Sequence, residues 1–181
     1  MRLLGAVGGG DVVNVLIDGV EDPSPPVRLA AIRALGQIRH AASIEPLIAL
    51  LGAASQMSKR NLAQALVSFG PDIHPFLIRI LQDGLSNTES VAGEPHHLST
   101  IIEVLALSGD IEAMPEIRLA LQSTHMEVRI AAFKAIALLH IPLTSKEIIR
   151  GLKDEQWPVR AQAATVAGKI RADGVLDQLG E

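Results

Sequence analysis

Residues 26–38 read PVRLAAIRALGQI, and residues 158–170 read PVRAQAATVAGKI. Between them Val128-Arg129 repeats the same dipeptide, 31 residues before Val159-Arg160. An equal step forward from Val27 reaches Ser58-Lys59, and an equal step back from Val128 reaches His97-Leu98. Anchors at 27, 58, 97, 128 and 159 are thus spaced 31, 39, 31 and 31 residues apart. Four residues past them stand Ala31, Leu62, Ile101, Ala132 and Ala163, and eight past them Leu35, Leu66, Leu105, Ile136 and Ala167. The columns at seven and eleven are mostly apolar as well, so offsets 0, 4, 7, 8 and 11 draw one apolar stripe on an α-helix. His97, Ser58 and Ser108 are the exceptions.

After each stripe the chain turns at Gly, Pro or Asp and begins a second helix, over 44–51, 72–82, 111–122 and 144–153. Pro46, Pro75 and Pro115 stand near three of the starts, where the N–H that proline lacks has no helical partner in any case. One such pair cannot bury its own stripe, so neighbours must stack. The spacing predicts an all-α, right-handed α-solenoid of about five antiparallel helix pairs with a period of about 31 residues. The expected units are a partial one over 1–20, then 21–52, 53–83, 96–122, 123–153 and 154–181, with an inserted loop at 84–95. Leu4-Gly5 stands 31 residues before Leu35-Gly36, and the chain closes at Leu179-Gly180-Glu181 in a short last helix. Neither end carries the polar cap that solenoids usually have, so the expectation is a segment of a longer protein.

Composition narrows the function. Sixteen basic and 20 acidic side chains leave a net charge of −4, and the 181 residues hold three Phe, one Trp and no Tyr. That is neither the basic footprint nor the stacking surface of a nucleic-acid binder. The absence of cysteine removes disulfides, thiolate metal sites and a cysteine nucleophile from this chain, and it fits the cytoplasm. No run of 18 apolar residues is present, so nothing within the chain is expected to enter a membrane. The Gly8-Gly9-Gly10 run lacks the Lys-Ser/Thr of a phosphate loop and reads as a turn between helices. The six histidines fall in scattered repeat positions, and no His-Glu dipeptide occurs, so no metal or cofactor site is expected.

Asp22-Pro-Ser-Pro-Pro-Val-Arg, continuing to Ala34-Leu-Gly-Gln-Ile38, resembles a HEAT-like repeat of the short type found in phycobilisome-lyase-related proteins. Asp154 through Ile170 resembles it equally. The resemblance covers nearly the whole chain and implies a ladder between neighbouring units, with Asp22, Arg28, Asp154 and Arg160 as its members. On the second helices Ile78-Arg79, Ile117-Arg118 and Ile149-Arg150 suggest a row of guanidiniums able to receive carboxylates or phosphates on a partner. The leading expectation is therefore a non-catalytic scaffold, not an enzyme, that offers its second-helix face to a protein partner or to other domains of a longer chain. The alternative implied by the resemblance is a phycobilin-lyase-like subunit acting on a linear tetrapyrrole and an acceptor protein. That acceptor would supply the cysteine this chain lacks.

Overall fold

A computed structural model describes residues 9–51, 56–86 and 95–179, with side chains defined from 11 to 51, 59 to 86 and 95 to 170. Among them are ten α-helices, two 3-10 turns and no strand. The first helices of the repeats are α2 (Pro25–Ile38), α4 (Gln56–Ser68), α6 (Pro95–Leu107), α8 (Met126–Leu138) and α10 (Trp157–Leu179). The second helices are α1 (Gly9–Gly19), α3 (Ile44–Ala49), α5 (His74–Ser86), α7 (Met114–Ala120) and α9 (Ser145–Leu152). The architecture is the all-α solenoid of the periodicity, and the chain divides into two compact units at Ile73/His74.

In the first unit α1 packs on α2, α2 on α4, and α3 on α4. Small residues set the spacing: a Cβ on Gly36 would stand 2.9 Å from the Ala65 Cα. At the same place the Ser68 hydroxyl donates to the Gly36 carbonyl at 2.6 Å. In the second unit α6 packs on α8 and α8 on α10, while α5, α7 and α9 lie against α6, α8 and α10.

The columns explain the burial. Ala31, Leu62, Ile101, Ala132 and Ala163 are buried, and Leu35, Leu66, Leu105 and Ile136 are completely so. His97 is buried in the anchor column that Val128 and Val159 also fill. A further column, five residues past the anchor, holds Ile32, Ala63, Ile102 and Phe133, all buried. α8 touches the first helices before and after it, α6 and α10, as well as the second helix of the preceding repeat, α7, so its buried arc is wider than a single stripe. The eleventh column lies at that arc's edge, and Ile38 is exposed there.

One register recurs without a fixed residue type. Arg39, Gly70, Gly109 and His140 all stand twelve past an anchor, and all four adopt positive φ, between 53° and 73°. That left-handed residue follows the end of α2, α4, α6 and α8. The amide of Asp110 then reaches back to the Leu105 carbonyl, and that of Ile141 to the Ile136 carbonyl, each at 3.0 Å. No such break occurs in the last repeat, where α10 runs on to Leu179 instead of closing in a short helix. Of the inserted stretch 84–95, residues 84–86 continue α5 and Pro95 opens α6; 87–94 lie outside the described residues. Gly9 and Gly10 belong to α1, while Gly8, Leu4-Gly5 and Gly180-Glu181 also lie outside them.

Candidate functional site

Each first helix that begins with Val-Arg carries its own clamp. The Arg28 guanidinium donates to the carbonyls of Asp22 and Pro23 at 2.7 and 3.0 Å. Arg129 does the same to Ser123 and Thr124, and Arg160 to Asp154 and Glu155, at 2.8–3.1 Å. The preceding turn is closed by a side-chain oxygen: Asp22 accepts from the Ser24 amide at 2.7 Å, and Asp154 from the Gln156 amide at 2.9 Å. Within a repeat, then, arginine meets the main chain of the aspartate and not its carboxylate.

The carboxylate is used between repeats. Arg129 reaches Asp154 of the next repeat through two parallel bonds of 2.8 Å, Nε to Oδ2 and Nη2 to Oδ1. The sequence marks Arg129 as the residue after the anchor Val128 but not in this role. The corresponding position after Arg28 is Ala53, which has no acceptor side chain.

The second helices carry their own chain of bonds. The Gln82 amide donates to Glu116 at 2.6 Å, and Arg118 pairs with Glu147 one repeat on. Glu116 and Glu147 stand in the same register, 19 past their anchors, and Arg79 and Arg118 both stand 21 past theirs, while the step of 31 from Arg118 leads to Ile149, one residue before Arg150. Arg79, Arg118 and Arg150 differ in surroundings. The Arg79 guanidinium lies 5.8 Å from the centroid of the exposed Phe76 ring. Arg118 is held by Glu147 and by the Pro142 carbonyl, at 2.6 Å from the latter. Arg150 makes no ion pair or side-chain hydrogen bond among the described residues.

Arg118 and Arg150 do share a cavity, of about 250 Å³, between α7 and α9. Its walls also include Leu119, Gln122, Glu147 and Asp154, and its floor Leu121, Phe133 and Gly151. Gly151 makes the floor possible. A Cβ there would stand 2.7 Å from the Ala163 Cβ and closer still to the Phe133 ring. Gly151→Ala should therefore destabilise the protein by about 1–3 kcal/mol by overpacking. At this chain length that lowers Tm by roughly 2–10 °C in a thermal melt. An unchanged Tm would mean that α9 can lift off α8 freely.

The two carboxylates on the wall are already committed. Burial alone would raise the Glu147 carboxyl, but the hydrogen bond from Arg118 and those from Thr144 outweigh it and hold its pKa below the usual range. Thr144 and Glu147 also form a reciprocal cap on α9, which the sequence Thr-Ser-Lys-Glu signals. For Asp154, burial is again outweighed, here by Arg129 and the Gln156 amide, and its pKa is lowered too. Near neutral pH both are fixed anions, so neither is suited to deliver a proton.

Among the described residues no group of three or more His, Asp or Glu side chains converges as a metal site would require. His96 is exposed and His97 buried, as adjacent helical positions should be. His74 Nδ1 lies 3.0 Å from the buried Asp110 carboxylate, a pair the sequence did not single out. No helix of the described residues is long and apolar enough to cross a membrane.

Residues 1–67 match the family model of HEAT repeats. Over 170 aligned residues the chain is 28% identical to the phycocyanobilin lyase subunit alpha of a Picosynechococcus species, covering 87% of this chain and 63% of the relative. It is 26% identical to the protein of the same name from a Nostoc species, covering 87% and 62%. The chain therefore spans less than two thirds of the length of these curated relatives. They overturn the expectation that the chain is no enzyme, because both are lyase subunits. The inference had rested on missing catalytic motifs, and such motifs need not lie in every chain that serves a reaction.

Proposed function

We propose that this chain, built from HEAT-like repeats, serves as a lyase subunit that handles a linear tetrapyrrole on its way to or from an acceptor protein. The observation that carries the reading is the similarity over 87% of the chain to two phycocyanobilin lyase alpha subunits. A continuous stretch of that length takes in residues 115–154, and with them the α7–α9 cavity, wherever it starts.

The chemistry agrees with the composition. A lyase adds a group across a double bond without an oxidant. Here a thiol would add to a carbon–carbon double bond of the pigment: an S–C bond forms, and the thiol hydrogen goes to the neighbouring carbon. With no cysteine in this chain, the thiol belongs to the acceptor. The repeats supply binding and orientation, which alone can lower a bimolecular barrier substantially. Glu147 and Asp154, both held as anions, position the arginines and take no part in the proton transfer. Arg118 and Arg150 face the pigment, and Arg79, outside the cavity walls, is left for the acceptor protein. We place the reaction in the cytoplasm, where the acceptor's thiol stays reduced.

Deleting the gene in its source organism tests the reading. Covalently bound tetrapyrrole, measured as the colour that survives acid-urea denaturation of the acceptor, should fall several-fold and return when the full-length gene is restored. Unchanged covalent pigment in the deletion strain would overturn it.

A further inference from the structure

The α7–α9 cavity has one cation to spare. Of its four charged wall residues, Arg118 is occupied by Glu147 and the Pro142 carbonyl, and Asp154 by Arg129 and the Gln156 amide. Arg150 is left without such a partner among the described residues, and Gln122 offers a neutral amide on the same wall. The floor below is apolar: Leu121 and Phe133 are buried, and the missing side chain of Gly151 leaves the Phe133 ring bordering the space.

Size and charge then select the occupant. About 250 Å³ lies below the roughly 300–1,000 Å³ of sites that enclose a whole small molecule, so the cavity holds part of an extended ligand. The wall charges otherwise balance. A dianionic phosphate would meet two fixed carboxylates with only one free guanidinium, whereas a single carboxylate is matched by Arg150 alone. The apolar floor adds the need for a flat ring attached to that carboxylate.

We infer that the α7–α9 cavity seats one pyrrole ring of a linear tetrapyrrole, with the propionate arm of that ring on Arg150. This deepens the reading of the chain as a tetrapyrrole-handling subunit and rests on it. The remaining rings extend outside the cavity, along the exposed Leu119 and Ile149 side chains of α7 and α9. Arg118 acts as a fixed neighbour whose hold on Glu147 keeps that carboxylate away from the incoming acid.

The test compares phycocyanobilin with its dimethyl ester, each titrated into the full chain and followed by induced visible circular dichroism. The wild type should bind the free acid about tenfold more tightly than the ester, the size expected for losing one charge-assisted hydrogen bond. Arg150→Gln should weaken the acid by about the same factor and abolish the preference, with helicity and Tm unchanged because Arg150 is exposed. Arg79→Gln, away from the cavity, should leave the preference intact. Equal binding of acid and ester by the wild type, or a preference that survives Arg150→Gln, overturns the propionate site alone. Absence of an induced signal with both pigments overturns it together with the tetrapyrrole reading.

Discussion

Replacing Leu105 by alanine will lower the stability of the protein by about 2–5 kcal/mol, read as a shift of the urea midpoint at constant slope. Leu105 is fully buried on α6, the helix that packs on α8 and receives α5. Its neighbours in the same layer are large and well filled, with Ile101, Ile102 and Val104 all at zero exposure. α5 and α8 fix the walls, so the cavity left by the truncation has little room to collapse, and the upper part of the range applies. The Leu105 carbonyl accepts the amide of Asp110, a bond the substitution leaves in place, so the loss measures packing. A loss below about 1 kcal/mol would be incompatible with this burial.

Arg129→Ala will cost about 2–4 kcal/mol, between the values for exposed and fully buried ion pairs. Arg129 and Asp154 are only 13% and 11% exposed, and the variant leaves the carboxylate with the Gln156 amide alone and removes the guanidinium from the carbonyls of Ser123 and Thr124. A pH dependence accompanies it. The pKa of Asp154 is lowered in the folded state, so its contribution is fully present above the unfolded value of about 3.9 and disappears as the pH falls through the lower folded value. Wild-type Tm should fall more steeply below about pH 4 than that of Asp154→Asn, which has lost this carboxylate. Parallel profiles for the two proteins would exclude the rung as a source of acid sensitivity.

The fold was legible because the 31-residue step leaves its mark on small and large apolar residues alike. Leu35, Leu66, Leu105 and Ile136 lie in the core where their column puts them. The fifth column was not read as part of the stripe, although Ile32, Ala63, Ile102 and Phe133 are as apolar as any other. Recognising it requires knowing that a first helix is enclosed on several sides. The left-handed column was hidden for another reason: Arg39 and His140 adopt a backbone that glycine favours, so the position repeats in geometry and not in letter.

The site was less legible. A match of Ile-Arg dipeptides aligned Arg79, Arg118 and Arg150, whereas the 31-residue step from Arg118 leads to Ile149, and the three guanidiniums have different surroundings. The cavity depends on Gly151 and Phe133, which meet across two helices 18 positions apart in sequence. No local pattern marks such a meeting. The lyase-like reading stood in the sequence only as the alternative that the resemblance implied, since a chain without cysteine displays no thiol nucleophile of its own.

The arginine that grips the two carbonyls of its own preceding turn has an evolutionary consequence. Because the grip is completed within seven residues at Arg28, Arg129 and Arg160, a 31-residue cassette brings its own hinge pin wherever it is inserted. Tandem duplication or loss of such a cassette leaves the clamps at the remaining Val-Arg repeats intact. Chains of this kind can therefore change length among relatives by whole repeats, with selection acting chiefly on the few residues that face a ligand.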